Sequence, residues 1–113
     1  MTYVRPVKPL APHEGYALAE ELKERLVAKN VPVSAMYFYG SVARGNAHRD
    51  SDIDVVVVVD PFKEHPWEEK QMVWHEGAEV DIRIEALCMR PEQFESPWSS
   101  LAREVKHYGI LVR

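Results

Sequence analysis

Five consecutive valines, residues 55–59, constrain the fold of this chain more than any other feature of its sequence. Together with Ile53 they form an apolar run that is interrupted by a single charge, Asp54. Valine is β-branched and favours strands, and a strand without polar alternation is typical of a position covered on both faces of a sheet. The run therefore predicts a strand over Ile53–Val59 with other elements packed against both of its faces.

Two aspartates, Asp52 and Asp54, stand at the start of this predicted strand. Side chains of a strand alternate with period two, so both carboxylates point to one face, with Cα atoms roughly 6.5–7 Å apart. At that spacing their oxygens can converge on one divalent cation. About ten residues earlier, Gly40 and Ser41 follow the predicted strand Ser34–Tyr39 and open a short helical turn, whose backbone N–H groups can bind a phosphate.

Asp81 is the third candidate carboxylate, because it lies on the polar face of a predicted strand, Glu79–Leu87, in which apolar and polar residues alternate. If the two acidic strands pair in suitable register, three carboxylates meet, and bound Mg²⁺ or Mn²⁺ offsets their repulsion. A two-metal site activates an attacking hydroxyl and stabilises a pyrophosphate leaving group. Gly40 lets the backbone approach a triphosphate, Ser41 can cap the turn and bond a phosphate oxygen, and Arg44 can grip the β- or γ-phosphate.

The rest of the sequence predicts one α/β domain over residues 12–113, preceded by a flexible, proline-rich arm over residues 1–11. Residues 62–78 fit either one helix that begins at Pro66 or a short helical turn followed by a hairpin, and we favour the second reading. The other predicted elements are a helix over residues 12–29, a one-turn helix over 91–94, a final helix that begins at Ser96-Pro97 and carries Trp98, and a strand over 110–112.

Composition and charge exclude several classes of protein. The formal net charge of −4 argues against broad, sequence-independent binding of nucleic acid. Cys88 is the single cysteine, so the sequence contains no internal disulfide. No apolar run approaches the ~18 residues of a membrane span, and the first residues lack the apolar segment of a signal peptide. A cytoplasmic location is therefore expected.

The Gly40-Ser41 corner followed by the pair Asp52 and Asp54 resembles the signature of the DNA polymerase beta-type nucleotidyltransferase superfamily. The resemblance implies an α/β domain with a mixed, largely antiparallel sheet and helices packed on one side. It also implies transfer of a nucleoside monophosphate from a nucleoside triphosphate to a hydroxyl or phosphate acceptor, with release of pyrophosphate. The resemblance further implies that the catalytic, metal-holding residues are Asp52, Asp54 and Asp81. It implies that the nucleotide-binding residues are Gly40, Ser41 and Arg44.

The short chain further resembles the minimal nucleotidyltransferases, lone catalytic cores that are often paired with a small helical HEPN-domain protein. This resemblance implies a toxin–antitoxin system in which the chain is the antitoxin and uses ATP to adenylylate a tyrosine of the HEPN toxin. Two alternatives stay open. In the first, the chain is a non-catalytic antitoxin that binds a helical partner. In the second, it nucleotidylates a small molecule of the antibiotic type, and a second chain or a homodimer completes the acceptor pocket.

Overall fold

The valine run forms an inner strand of a four-stranded sheet in a computed structural model that describes residues 8–113. Within those residues no helix is long and apolar enough to cross a membrane. The elements in chain order are α1 (Pro12–Ala28), β1 (Val33–Tyr39), α2 (Gly40–Arg44), β2 (Ile53–Val59), α3 (Pro66–Val80), β3 (Ile84–Met89), α4 (Pro91–Phe94), α5 (Ser100–Tyr108) and β4 (Ile110–Leu111).

The sheet is mixed, as predicted, with strand order β3-β2-β1-β4. β1 is antiparallel to both of its neighbours, β2 and β4. β2 and β3 are parallel, so after β2 the chain has to cross back to the end of the sheet where β2 began before β3 can start. α3 provides this crossover. Two of the three strand pairs are thus antiparallel, in agreement with the expected largely antiparallel sheet.

Helices cover both faces of the sheet. Ile53, Val55 and Val57 belong to a buried cluster that also contains residues of α1 and α3. Val56 and Val58 point the other way and pack with buried residues of α4 and α5. The predicted coverage of the valine strand on both faces is confirmed, whereas packing of helices on one side holds for α1, α2 and α3 but not for α4 and α5.

The predicted helical turn and hairpin over residues 62–78 are wrong, because α3 runs through most of this segment as one helix. Its first turn is closed by Glu68, whose Oε1 accepts a hydrogen bond of 3.1 Å from the backbone N–H of His65. Gly77 lets α3 lie close to β3. A Cβ atom at this glycine would stand 3.1 Å from Cγ2 of Ile84.

The final helix begins later than predicted. Ser99 rather than Ser96 is its N-cap, since the Ser99 Oγ accepts a 3.0 Å hydrogen bond from the backbone N–H of Ala102. Trp98 consequently lies outside α5, with 90% of its surface exposed. The C-terminal strand is confirmed as β4, which pairs with Tyr37 and Phe38 of β1.

The predicted flexible arm, residues 1–11, falls partly outside the described residues, which begin at Lys8. Leu10 is half-buried and packs against the cluster that α1 and α3 cover. Ala11 is the N-cap of α1, and its backbone N–H donates a 2.9 Å hydrogen bond to Oε1 of Glu14. The end of the arm nearest the domain is therefore attached to it.

Candidate active site

Three residues on neighbouring strands form a row across one face of the sheet. Asp54 of β2 is paired with Tyr39 of β1 in antiparallel register and with Glu85 of β3 in parallel register. Paired residues of adjacent strands point to the same face, which here is the face covered by α4 and α5. Asp52 lies exposed two residues before Asp54, at the start of β2. We call Tyr39, Asp54 and Glu85 the acid row.

The electrostatics of the acid row centre on Asp54. Burial raises the pKa of Asp54 from its usual 3.8 to about 6, and the charges of Glu85 and then Asp52 push it in the same direction. Glu104 of α5 makes a smaller contribution of the same sign, whereas the guanidinium of Arg44 lowers the pKa. Repulsion among carboxylates at one place is the condition that a bound cation relieves.

Tyr39 places a phenol beside these carboxylates. It is 8% exposed, and burial followed by the charges of Asp54 and Glu85 raises the pKa of its hydroxyl to about 12. The phenol is therefore neutral at physiological pH. The sequence pattern ended a strand at Tyr39 and gave this residue no functional role.

Gly40 lies directly against Asp54. Its φ of +85° is in the left-handed region, and a Cβ atom there would stand 2.2 Å from Oδ2 of Asp54. Glycine is thus required at this corner both by the backbone and by the carboxylate packed on it. Gly45, the C-cap of α2, also has a positive φ of +77°, but a Cβ atom there would come no closer than 3.7 Å to its nearest neighbour, Cγ of Pro12. The steric requirement is therefore specific to the site.

The other two predicted phosphate-binding residues lie on α2. The helix begins at Gly40 with Tyr39 in the N-cap position, so the predicted capping role of Ser41 is wrong. Ser41 occupies the second helical position and is partly exposed. Arg44 is the last residue of α2, and its Nη1 lies 3.9 Å from Oε1 of Glu104. The structure thus brings Arg44 and Asp54 into electrostatic contact, as the pKa of Asp54 records.

Asp81 does not occupy the predicted mid-strand position, because it is the C-cap of α3 and precedes β3. Its carboxylate forms a two-pronged ion pair with the guanidinium of Arg83 at 2.8 and 2.9 Å. These hydrogen bonds lower the pKa of Asp81. Glu85 is the acidic residue of β3 that stands opposite Asp54. The alternation of apolar and polar residues puts Glu85 on the same predicted face as Asp81, and strand register decides which of the two stands opposite Asp54.

The ligands that this site can offer to a metal ion are carboxylate oxygens. Among residues 8–113 no group of three histidine, cysteine or acidic side chains is already arranged to hold an ion. Mg²⁺ needs only one or two protein carboxylates, because phosphate oxygens and water complete its octahedral shell. Asp54 has a raised pKa and lies near two other carboxylates, those of Asp52 and Glu85, which fits such a partly completed site.

The sequence matches the family model described as nucleotidyltransferase domain over residues 18–112. One similar structure is a Sulfolobus solfataricus protein to which nucleotidyltransferase activity is ascribed, with TM-score 0.59 and 19% identity over 88% of this chain and 80% of that one. Another is a toxin–antitoxin with AMP-PNP, with TM-score 0.55 and 25% identity over 83% of this chain and 72% of that one. Curated proteins yield no match. Since the family model spans most of its length, this chain belongs to the nucleotidyltransferase domain family.

Proposed function

We propose that this chain is a metal-dependent nucleotidyltransferase that transfers AMP from ATP to a hydroxyl acceptor, a tyrosine of a small helical HEPN-type partner. The observation that carries the proposal is the surroundings of Asp54. Asp52 immediately precedes the strand of Asp54, Glu85 lies opposite Asp54 on the next strand, and Gly40 packs against the carboxylate of Asp54. This arrangement fits the family to which the chain belongs.

Three carboxylates would hold two divalent metal ions, Mg²⁺ or Mn²⁺, so that each ion takes one or two of them. Asp52 and Asp54 supply two of them, and we assign the third place to Glu85 rather than to Asp81, whose carboxylate is engaged by Arg83. When bound, the metal neutralises phosphate charge and activates the acceptor hydroxyl. The carboxylates would orient the acceptor and take up its proton.

The corner formed by α2 would hold the triphosphate. Gly40 removes any side chain between the backbone and the ligand, and Ser41 presents a partly exposed hydroxyl on the first turn. Arg44 has a half-exposed guanidinium, which can bind a phosphate through two parallel N–H groups. The presence of AMP-PNP with the similar toxin–antitoxin supports ATP as the nucleotide.

The acceptor is assigned from the kind of assembly in which a similar protein occurs. The similar toxin–antitoxin supports an assembly with a second protein. Three tryptophans of this chain are also largely exposed, at 61%, 53% and 90% of their surfaces, as is common where a partner binds: Trp67, Trp74 and Trp98. These tryptophans equally favour the second candidate function, a non-catalytic module that binds its partner and uses nucleotide only as a ligand.

Calorimetric titration of ATP with Mg²⁺ tests the nucleotide site. We expect metal-dependent binding to the wild type and its loss in the double variant Asp52→Asn/Asp54→Asn. Glu85→Gln should weaken the binding strongly, while Asp81→Asn, which disrupts the pair with Arg83, should lower stability but retain binding. Loss of binding in Asp81→Asn with retention in Glu85→Gln would restore Asp81 as the third ligand.

A transfer assay separates the enzyme from the binding module. Labelled ATP is incubated with this chain and a candidate HEPN protein, and the label on the partner is located by mass spectrometry. We expect AMP on a tyrosine with the wild type and none with Asp54→Asn. Tight association of the two proteins that is insensitive to Asp54→Asn, with no label transferred, would support the non-catalytic module instead.

A further inference from the structure

Glu104 is an acidic residue near the acid row to which the proposed chemistry gives no task. α5 packs on the sheet through Ala102 and Val105, which are fully buried, and its first turn is closed by Ser99. This anchoring fixes the direction of the helix and brings Glu104 toward α2. There its Oε1 lies 3.9 Å from Nη1 of Arg44, so one ion pair joins the two helices at the site.

Glu104 acts on the same space as the acid row. Its charge raises the pKa of both Tyr39 and Asp54, while Arg44 lowers the pKa of Asp54. A negative charge in this place repels a triphosphate as it repels the carboxylates. It also engages the guanidinium that we assign to the phosphate, so the two effects of Glu104 on a bound nucleotide have the same sign.

The contact between Glu104 and Arg44 has the properties of an ion pair that a ligand can replace. Both side chains are 48% exposed, and 3.9 Å is longer than a direct N–H···O hydrogen bond. Such surface pairs are weak, since water screens them and ordering two long side chains costs entropy. A phosphate, in contrast, fits the guanidinium fork with two short bonds.

We infer that Glu104 is a positioning residue that holds the guanidinium of Arg44 at the site until the phosphate of a nucleotide takes the place of the Glu104 carboxylate. This inference rests on the proposed function, because it requires Arg44 to bind phosphate. Glu104 keeps Arg44 beside the acid row in the free protein and releases it on binding. It thereby lowers the affinity for nucleotide.

The test is calorimetric titration with two probes, ATP with Mg²⁺ and inorganic tripolyphosphate. Glu104→Gln should bind both about two- to fivefold more tightly than the wild type, the change expected when a surface ion pair no longer competes. In the background Arg44→Gln the same substitution should tighten binding clearly less, because only the direct repulsion between Glu104 and the phosphates remains. Glu95→Gln is the matched control, since it removes one carboxylate charge from an exposed ion pair with Lys106 at 3.0 Å, and its affinities should equal those of the wild type.

The outcomes distinguish this inference from the proposed function. If the wild type binds neither probe, the proposed function fails and the role of Glu104 fails with it. If the wild type binds ATP with Mg²⁺ but Glu104→Gln binds it equally or more weakly, the role of Glu104 alone is overturned. Weaker binding would mean that Glu104 supports nucleotide binding instead of competing with it. Tightening of the same size without Arg44 would reduce Glu104 to a general repulsive charge, which also overturns the inference.

Discussion

Asp54→Asn should stabilise the metal-free protein although it abolishes nucleotidyl transfer. Burial and the charges of Glu85 and Asp52 raise the pKa of Asp54 from 3.8 to about 6. The folded state therefore binds a proton more tightly than the unfolded state, and stability falls as pH rises from about 4 to about 6. Above pH 6 the full cost of the ionised carboxylate is present, and the neutral amide of asparagine removes it.

The magnitude follows from the pKa of Asp54. A rise from 3.8 to about 6 corresponds to at most about 3 kcal/mol. Asp54 is partly exposed, so screening by water reduces this to about 1 kcal/mol. For a domain of this size that free energy raises the melting temperature by roughly 3–6 °C.

The assay is thermal unfolding in buffer with a chelator between pH 4 and pH 8. We expect the melting temperature of Asp54→Asn to exceed that of the wild type at pH 7.5 and to approach it near pH 4, where the wild-type carboxyl is protonated. Asp60→Asn is the control, because Asp60 is exposed just after the other end of β2 and should show no such dependence. A lower melting temperature for Asp54→Asn at pH 7.5, or a gain independent of pH, would refute the reasoning.

Two further perturbations test the corner and a buried ion pair. Gly40→Ala should abolish ATP binding and cost more stability than Gly45→Ala: both incur about 1–2 kcal/mol for a left-handed alanine, but only the first drives a Cβ into Asp54. Calorimetry and urea unfolding check this, and loss of binding in both variants would contradict it. Glu69→Gln should cost about 2–3 kcal/mol at pH 7, because it leaves the guanidinium of Arg90 without its partner. Hydrogen bonds from Arg90 lower the pKa of Glu69 to about 2, so the ionised carboxylate stabilises the protein above about pH 4.5 and this stabilisation is lost as pH falls toward 2. Urea unfolding should therefore show a smaller stability difference between wild type and Glu69→Gln at pH 3 than at pH 7. Equal stabilities of the two proteins at pH 7 would argue against the pair.

The parts of the site that lie close together in sequence could be predicted from it. The valine run gave strand β2 with its observed bounds, Ile53–Val59, and the corner between β1 and β2 was placed at Gly40. These features depend on local chemistry: β-branched residues favour a strand, and a positive φ requires glycine. The same local chemistry places the two aspartates at the start of β2, with Asp54 as its second residue and Asp52 immediately before it.

The third acid could not be predicted in the same way, because it depends on α3. The buried face of α3 carries Glu69, Val73 and Glu76. Both glutamates are paired with cations, Glu76 with Arg25 and Lys29, but in the sequence they read as charges that face water. The helical period of the apolar residues is thereby hidden.

The alternation that suggested a strand over Glu79–Leu87 arose from three different environments. Val80 ends α3, Ile82 lies in the connection with 61% of its surface exposed, and Ile84 begins β3. Only Ile84 and the residues after it pair with β2. Register between parallel strands is set by the packing of the crossover helix, a long-range property that no window of sequence contains.

The parallel pairing of β2 with β3 has a consequence for the order in which the site is built. β1 and β2 are neighbours along the chain and can form their hairpin by local contacts, which are the fastest to close. Glu85 reaches Asp54 only after all fifteen residues of α3 have been synthesised and have packed on the sheet. During translation Asp52 and Asp54 therefore precede their partner, and a local opening of α3 in the finished protein would detach Glu85 while leaving the aspartate pair in place.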